Sequence, residues 1–103
     1  MDNINHLIKQ SESPVLVDFY TNWCQPCHHM TPVIDEIAHE MAGKIEVLKV
    51  DVDRNMTLAT EYKVRSIPTF ILFYKGAILW QQSGIIARHV MEAEIRKSLI
   101  PQS

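Results

Sequence analysis

The feature that most constrains the fold of this 103-residue chain is a buried-strand pattern followed closely by a helical one. Residues Val15–Tyr20 are almost continuously apolar, which is typical of a strand covered on both faces. Apolar residues then recur at helical spacing from residue 30 to residue 41, in a helix that starts near Cys24 and stops at Gly43. The Val- and Ile-rich pattern of residues 45–52 predicts a second strand. We therefore predict a βαβ unit, with a parallel strand pair and a right-handed crossover.

The flanking segments complete a mixed four-stranded sheet with helices on both faces, an α/β fold. Ile4, Leu7 and Ile8 have the spacing of a helix of about two turns, with Asp2 or Asn3 as its N-cap. The second half predicts a short helix at 56–62, a strand at 69–74, a Lys75-Gly76 turn, a returning strand at 77–82, and a helix at 87–99 with Val90, Met91, Ile95 and Leu99 on its apolar face.

Composition narrows the class of protein. The chain is long enough for one hydrophobic core but not for two, so we expect a single domain over residues 1–103. A net charge of −2 argues against nucleic acid or an anionic membrane as the main partner. No apolar run approaches the roughly 18 residues of a membrane span. Residues 1–12 lack the apolar segment of a signal peptide, so we expect a cytoplasmic protein. We also expect a monomer.

Cys24 and Cys27 are the only cysteines of the chain, and two are too few for a disulfide scaffold. Cys24 stands where the predicted helix begins. Unpaired backbone N–H groups and the helix dipole there favour its thiolate, the species that attacks a disulfide. Cys27 lies one turn further on, close enough to form a ring with Cys24. The spacing indicates a reversible dithiol–disulfide pair, with Cys24 as the more exposed nucleophile and Cys27 as the resolving thiol.

With these motifs in place, the chain resembles the thioredoxin family. Residues 17–27 resemble the active-site strand and turn of that family, and Pro32 falls where its long helix is kinked. Residues 67–69 resemble its cis-proline loop, and Lys49 and Asp51 match polar positions of its second strand. The resemblance covers nearly the whole chain. It implies a thioredoxin fold and a protein-disulfide reductase that needs no cofactor of its own and is recycled by an NADPH-dependent flavoprotein reductase.

One departure from the family pattern lies between the cysteines, where Gln25 replaces the usual glycine before Pro26. Pro26 suits the first helical turn because its missing N–H would be unpaired there. It also removes a donor that would stabilise the Cys24 thiolate, whereas Gln25 restores a polar side chain. Fewer donors to the thiolate favour the disulfide form, which means a reducing potential. We therefore expect a reduction potential toward the reducing end of the family range, which runs from about −270 to about −120 mV.

A second departure is the short N-terminus, since only 17 residues precede Asp18. This length is too short for both the first strand and the first helix of the family. We expect the helix to remain and the N-terminal strand to be missing. Residues 45–52 would then lie at a sheet edge, where Glu46, Lys49 and Asp51 discourage unwanted pairing.

Asp18 is a carboxylate in the middle of an apolar strand, so burial should raise its pKa. Near Cys27 it would take the thiol proton, through a water, as Cys27 attacks the mixed disulfide. Lys49 on the neighbouring strand would either partner Asp18 and moderate that rise or be a solvated lysine. The alternative for Asp18 is a side chain that reaches solvent at the strand end.

The resemblance also implies a substrate groove. A cis Ile67–Pro68 bond would bring backbone groups beside Cys24, where they could pair with an extended substrate segment. Trp23, Ile67, Gly84 and Ile85 would surround the sulfur with a flat apolar patch. Trp23 and Ile85 could instead be ordinary core residues.

His28 and His29 open two rival interpretations. Residues 24–28 fit the c-type haem attachment pattern, and Cys24 and Cys27 with a histidine could be three zinc ligands, without a second cysteine pair to complete the set. We expect no metal, and two solvated histidines, one of which could tune the thiolate near neutral pH. Two functional alternatives also remain open. One is a disulfide oxidase or isomerase with the same site, and the other is a thioredoxin-fold binding subunit with secondary redox activity.

Overall fold

The computed structural model describes residues 3–100, and every element predicted for this range is present. Most element bounds lie within one residue of the prediction. Of the two expected caps of the first helix, Asn3 is already its first residue and Asp2 lies outside the described residues. In chain order the elements are α1 (Asn3–Gln10), β1 (Val15–Tyr20), α2 (Gln25–Glu40), β2 (Glu46–Asp51), a 3-10 turn (Val52–Arg54), α3 (Met56–Glu61), β3 (Thr69–Tyr74), β4 (Ala77–Ser83) and α4 (Arg88–Ser98).

The four strands form one mixed sheet in the order β2-β1-β3-β4. β1 runs parallel to β2 and antiparallel to β3, and β4 returns antiparallel to β3. The predicted mixed sheet and parallel βαβ pair are therefore confirmed. β2 lies at an edge, as predicted, and residues Asn3–Gln10 form a helix rather than an additional strand beside it.

Helices cover both faces of the sheet over its central strands. β1 and β3 are buried along almost their whole length, which explains their nearly continuous apolar sequences. α2 and α4 cover one face, where the core includes Leu16, Met30, Ile34, Ile37, Phe70, Leu72, Met91 and Ile95. α1 and α3 cover the other, where the core includes Ile8, Val15, Val17, Phe19, Leu58, Ile71 and Phe73.

Two of the apolar residues whose spacing predicted the helices, Leu7 of α1 and Val90 of α4, are exposed. Val90 is 40% exposed, whereas Met91 and Ile95 on the same helix are fully buried. Met91 and Ile95, one turn apart, are the buried residues of α4, and Val90 lies to one side of them. No helix within residues 3–100 is both long enough and apolar enough to cross a membrane.

Strand directions bring three loops together at one end of the sheet. The end of β1 lies beside the start of β3, where Phe19 pairs with Thr69, and the end of β4 follows, where Thr69 pairs with Ser83. The Gly84 N–H donates to the Pro68 carbonyl at 2.9 Å, which joins the second and third of these loops. The loops carry the residues that sequence analysis identified as chemically important.

Candidate active site

Cys24 and Cys27 are joined by a disulfide at the start of α2, with 5.2 Å between their Cα atoms. Cys24 is the N-cap of the helix, and its extended backbone turns the sulfur toward the free N–H groups of the first turn. The Cys27 N–H donates to the Cys24 Sγ at 3.1 Å. A donor in this position stabilises negative charge on the Cys24 sulfur.

Both cysteines are almost buried, at 5% exposure for Cys24 and 6% for Cys27. The expectation that Cys24 is the more exposed of the pair is therefore wrong for the disulfide form. The disulfide holds both sulfurs against the first turn of α2, so the two residues share one environment. Pro26 lies in the first turn and Gln25 is exposed, as their positions in the sequence predict.

Asp18 is buried in the middle of the sheet, opposite Lys49 on β2 and Phe70 on β3. Its residue exposure is 5%, which excludes an aspartate that reaches solvent at the strand end. Burial raises its pKa to about 6, the Lys49 ammonium lowers it, and the Asp35 carboxylate raises it. Asp18 thus has a proton affinity suited to acid–base chemistry near neutral pH.

A cavity of about 240 Å³ connects this carboxylate to the disulfide. Asp18, Cys27 and Lys49 all line it, together with Tyr20, Thr21, Asn22, His28 and Thr31. The cavity is large enough for water and polar enough to hold it. Cys27 and Asp18 therefore share one polar cavity.

Lys49 corrects one expectation about this site. Its Nζ forms an ion pair with Asp35 on α2, at 2.9 Å from Oδ1, rather than with Asp18. The ammonium still lowers the Asp18 pKa through space. Sequence analysis missed Asp35, although its place two turns after Cys27, on a helix that crosses over β2, was an available signal.

The Ile67–Pro68 bond is cis, as the family resemblance implied, and it lies beside the site in the loop before β3. Pro68 is buried and Ile67 is half-buried. Gly84 follows in the adjacent loop with a φ of +92°, and a Cβ built there would meet no atom within 4 Å. The Gly84 backbone therefore borders open space next to the proline loop.

Trp23 and Ile85 are surface residues, not core residues, with exposures of 71% and 58%. The Trp23 Nε1–H donates to Asp53 Oδ2 at 2.9 Å. The Ile86 N–H, next to Ile85, donates to the Met30 sulfur at 3.5 Å. Asp53 and Met30 were also missed, since contacts between residues far apart in the chain leave no local pattern.

The two histidines differ in their surroundings. His28 lines the cavity, and its Nε2–H donates to the Asn22 carbonyl at 2.7 Å, while His29 is exposed on the next helical position. No group of three or more His, Cys, Asp or Glu side chains within residues 3–100 is arranged to hold a metal ion. The zinc interpretation therefore has no ligand set in this part of the chain.

These features define a class of protein. A cysteine pair that caps a helix, a buried carboxyl group in the same cavity, and an exposed apolar surface beside a cis-proline loop are the parts that thiol–disulfide exchange requires. The class is that of small α/β thiol–disulfide exchange proteins.

Comparison with known proteins gives the family. The thioredoxin family model matches residues 1–97. Thioredoxin from Rickettsia felis is 42% identical over 92 residues, which cover 89% of this chain and 88% of the relative. Thioredoxin C-2 from Corynebacterium nephridii is 37% identical over 98 residues, covering 95% and 91%. The chloroplastic thioredoxin Y of Oryza sativa subsp. japonica is 34% identical over 97 residues, which cover 94% of this chain and 58% of that longer protein.

The chain belongs to the thioredoxin family, and its fold is the thioredoxin fold. Its activity is that of a thiol–disulfide oxidoreductase, a protein-disulfide reductase that works through the Cys24–Cys27 pair. Family membership explains why the disulfide, the cis-proline loop and the buried aspartate occur together in a chain of this length.

Proposed function

We propose that the protein reduces disulfides in protein substrates by a two-step exchange in which Cys24 attacks and Cys27 resolves. The observation that carries this assignment is the hydrogen bond from the Cys27 N–H to the Cys24 Sγ at the helix N-cap. Within the pair, it favours the sulfur of Cys24 as the thiolate. In the first step, this thiolate attacks a substrate disulfide, forms a mixed disulfide and releases one substrate sulfur as a thiolate, which takes a proton from solvent.

In the second step, Asp18 acts as the general base for Cys27. The carboxylate takes the Cys27 proton through a water in the shared cavity, and the Cys27 thiolate attacks the Cys24 sulfur. The second substrate sulfur leaves as a thiolate, which takes a proton from solvent while Asp18 returns its own proton to solvent, and the Cys24–Cys27 disulfide closes. Two electrons have then passed to the substrate. A pKa of about 6 leaves Asp18 mostly ionised at neutral pH, so it is ready to accept that proton.

The substrate segment is proposed to lie in extended form along the loop before β3. Ile67 and the cis Pro68 would present backbone groups to it, and Trp23 and Ile85 would cover its apolar side chains. Gly84 would let the substrate backbone approach closely. Gln25 and Pro26 are proposed to tune the potential of the pair, and Lys49 to tune Asp18.

The oxidised pair must be reduced again by a donor outside the chain. We assign this step to an NADPH-dependent flavoprotein reductase, because family membership implies one. The protein would then be a monomeric, single-domain electron carrier in thiol redox homeostasis, with no cofactor of its own. A reducing compartment is required. We propose the cytoplasm, with a plastid as the alternative that the chloroplastic relatives raise.

Serine variants of each cysteine test this mechanism. Cys27→Ser should capture a protein substrate, such as insulin, as a mixed disulfide with Cys24, and Cys24→Ser should capture none. Both variants should lose turnover. Capture by Cys24→Ser at the rate of Cys27→Ser would reverse the assignment. The double serine variant cannot exchange disulfides. If it still replaces the native protein in the cell, the binding-subunit alternative is supported instead.

The direction of electron flow needs a separate measurement. The reduction potential of the Cys24–Cys27 pair, measured in a glutathione redox buffer, should be about −270 mV, the value of a reductase. A value near about −120 mV would identify an oxidase. Gln25→Gly, which restores the usual residue of the family, serves as the matched variant for the contribution of the exposed amide.

A further inference from the structure

Lys49 lies opposite Asp18, but its ammonium forms an ion pair with Asp35 instead. The two residues pair across β1 and β2, and both line the cavity that reaches Cys27. The Lys49 Nζ nevertheless lies 2.9 Å from Asp35 Oδ1, on α2. Within residues 3–100 it forms no ion pair with Asp18, and the Asp18 Oδ1 has no hydrogen-bond partner there. The ammonium is thus close to Asp18 but oriented toward another carboxylate.

We infer that Asp35 is a positioning residue for disulfide exchange, which holds the Lys49 ammonium away from Asp18 and so keeps Asp18 able to bind the Cys27 proton. The inference rests on the proposed role of Asp18 as the general base. Asp35 itself touches neither sulfur, and it acts through Lys49.

Two effects of Asp35 have the same sign. Its carboxylate raises the Asp18 pKa directly, and it restrains the ammonium that lowers that pKa. The other titratable groups around Asp18 are Cys27 and His28 from α2 and Tyr20 from β1 itself, while β3 presents the apolar Phe70. Burial is the largest cause of the raised Asp18 pKa, and Lys49 and Asp35 are the charged groups that modify it.

The ion pair contributes little to stability, because its side chains are 41% and 60% exposed and solvent screens them. Its influence on Asp18 is different, since Asp18 is buried and solvent screens its side of the interaction less. Asp35 should therefore affect the titration of Asp18 more than it affects the free energy of unfolding. This difference separates a positioning role from a structural one.

The test compares Asp35→Asn with Glu36→Gln. The control removes the same charge one residue further along α2, where Glu36 lies 3.8 Å from Arg88 and outside the cavity. The Asp18 carboxyl is titrated by carbon NMR in the reduced protein, and the rate of Cys27 attack on a preformed mixed disulfide is measured against pH. Asp35→Asn should lower the Asp18 pKa by about one unit and move the acid limb of the rate profile equally.

Three further outcomes are fixed by the same reasoning. Glu36→Gln should leave both curves in place, Asp35→Glu should restore the native profile, and Lys49→Met should move the Asp18 titration upward. If Asp35→Asn shifts the titration no more than Glu36→Gln does, the inference is overturned while Cys24–Cys27 chemistry stands. If the titration moves and the rate profile does not, the proposed base role of Asp18 fails, and the inference fails with it.

Discussion

Burial of Asp18 makes the stability of the fold depend on pH. Its pKa rises from 3.8 to about 6 when the chain folds, so the folded protein binds this proton more tightly than the unfolded chain does. The stability gained from the proton is complete below pH 3.8 and is lost as the pH rises through about 6. Because one pKa unit is worth about 1.4 kcal/mol, the ionised carboxylate destabilises the fold by up to about 3 kcal/mol at neutral pH.

We therefore predict that Asp18→Asn stabilises the protein at alkaline pH. The gain in free energy of unfolding should approach about 3 kcal/mol near pH 8 and disappear near pH 4. Urea unfolding of the disulfide form at both pH values measures it. Glu46→Gln, an exposed carboxylate on β2, is the control and should change neither value. An Asp18→Asn gain of equal size at both pH values would show that ionisation is not its cause.

Gly84 is predicted to affect both the stability of the fold and the binding of protein substrates. Gly84→Ala should destabilise the fold by about 1 kcal/mol, because an L-residue is strained at φ +92° although the added methyl meets no atom. We expect it also to raise the KM for a protein disulfide severalfold, with little effect on a small aromatic disulfide.

Gly43→Ala is the matched control for this prediction. Gly43 has a φ of +86° and equally open space, but it follows α2 at the opposite end of the helix from the cysteines. The two variants should lose similar stability, and only Gly84→Ala should change the KM. An unchanged KM in Gly84→Ala would remove Gly84 from the substrate groove.

Single residues with a strong local pattern could be predicted from the sequence. A lone carboxylate in an apolar strand indicated that Asp18 is buried, and the resemblance of Ile67-Pro68-Thr69 to the cis-proline loop of the thioredoxin family implied a cis bond. Pairings between distant residues could not be predicted. Lys49 was matched with Asp18 because the strands are adjacent, whereas the crossing of α2 over β2 brings Asp35 closer to its ammonium.

At the scale of elements, hydrophobic periodicity was sufficient to place the helices and strands, and local hydrogen bonds set where they end. β2 was predicted to continue to residue 52, but it ends at Asp51. The Asp51 side chain accepts from the Asp53 N–H at 3.0 Å and starts the 3-10 turn. Such side-chain caps compete with strand pairing and are difficult to weigh from sequence alone.

One contact between elements links α2 to the loop before α4. Met30 is fully buried in α2, and its sulfur accepts the N–H of Ile86, which is also buried. Met30 lies three residues after Cys27 in α2. Its bond to Ile86 therefore joins the loop that carries Ile85 to the helix that carries the cysteines. The position of the apolar surface beside the disulfide thus depends on a core methionine.

We predict that Met30→Leu destabilises the protein more than Met41→Leu. Both methionines are fully buried in the same core cluster, and leucine has a similar volume. Only Met30→Leu leaves the Ile86 N–H without its acceptor, which should cost about 1 to 2 kcal/mol more in urea unfolding. Amide exchange at Ile86 should accelerate in Met30→Leu alone. Equal losses and unchanged exchange would show that the sulfur contact is only packing.

At the scale of the whole molecule, the two sheet edges are protected differently. β2 carries Glu46 and Lys49 on its exposed positions, as the sequence predicted for an edge strand. β4 has no charged residue, but its pairing with β3 shifts register between Leu72 and Phe73, and such a bulge twists an edge away from further pairing. The exposed Ile78 and Leu79 therefore lie on an edge strand whose twist disfavours pairing with another strand.

The redox pair is also coupled to the stability of the whole domain. The disulfide links residues only three apart, and a ring of this size constrains the unfolded chain by about 2 kcal/mol. We predict that reduction lowers the free energy of unfolding by this amount, measured by urea unfolding with and without dithiothreitol. The double serine variant should not respond. By the thermodynamic cycle, the folded pair is then about 40 mV more reducing than the same pair in the unfolded chain. Equal stability of the two forms would mean that folding adds nothing to the reducing power of the pair.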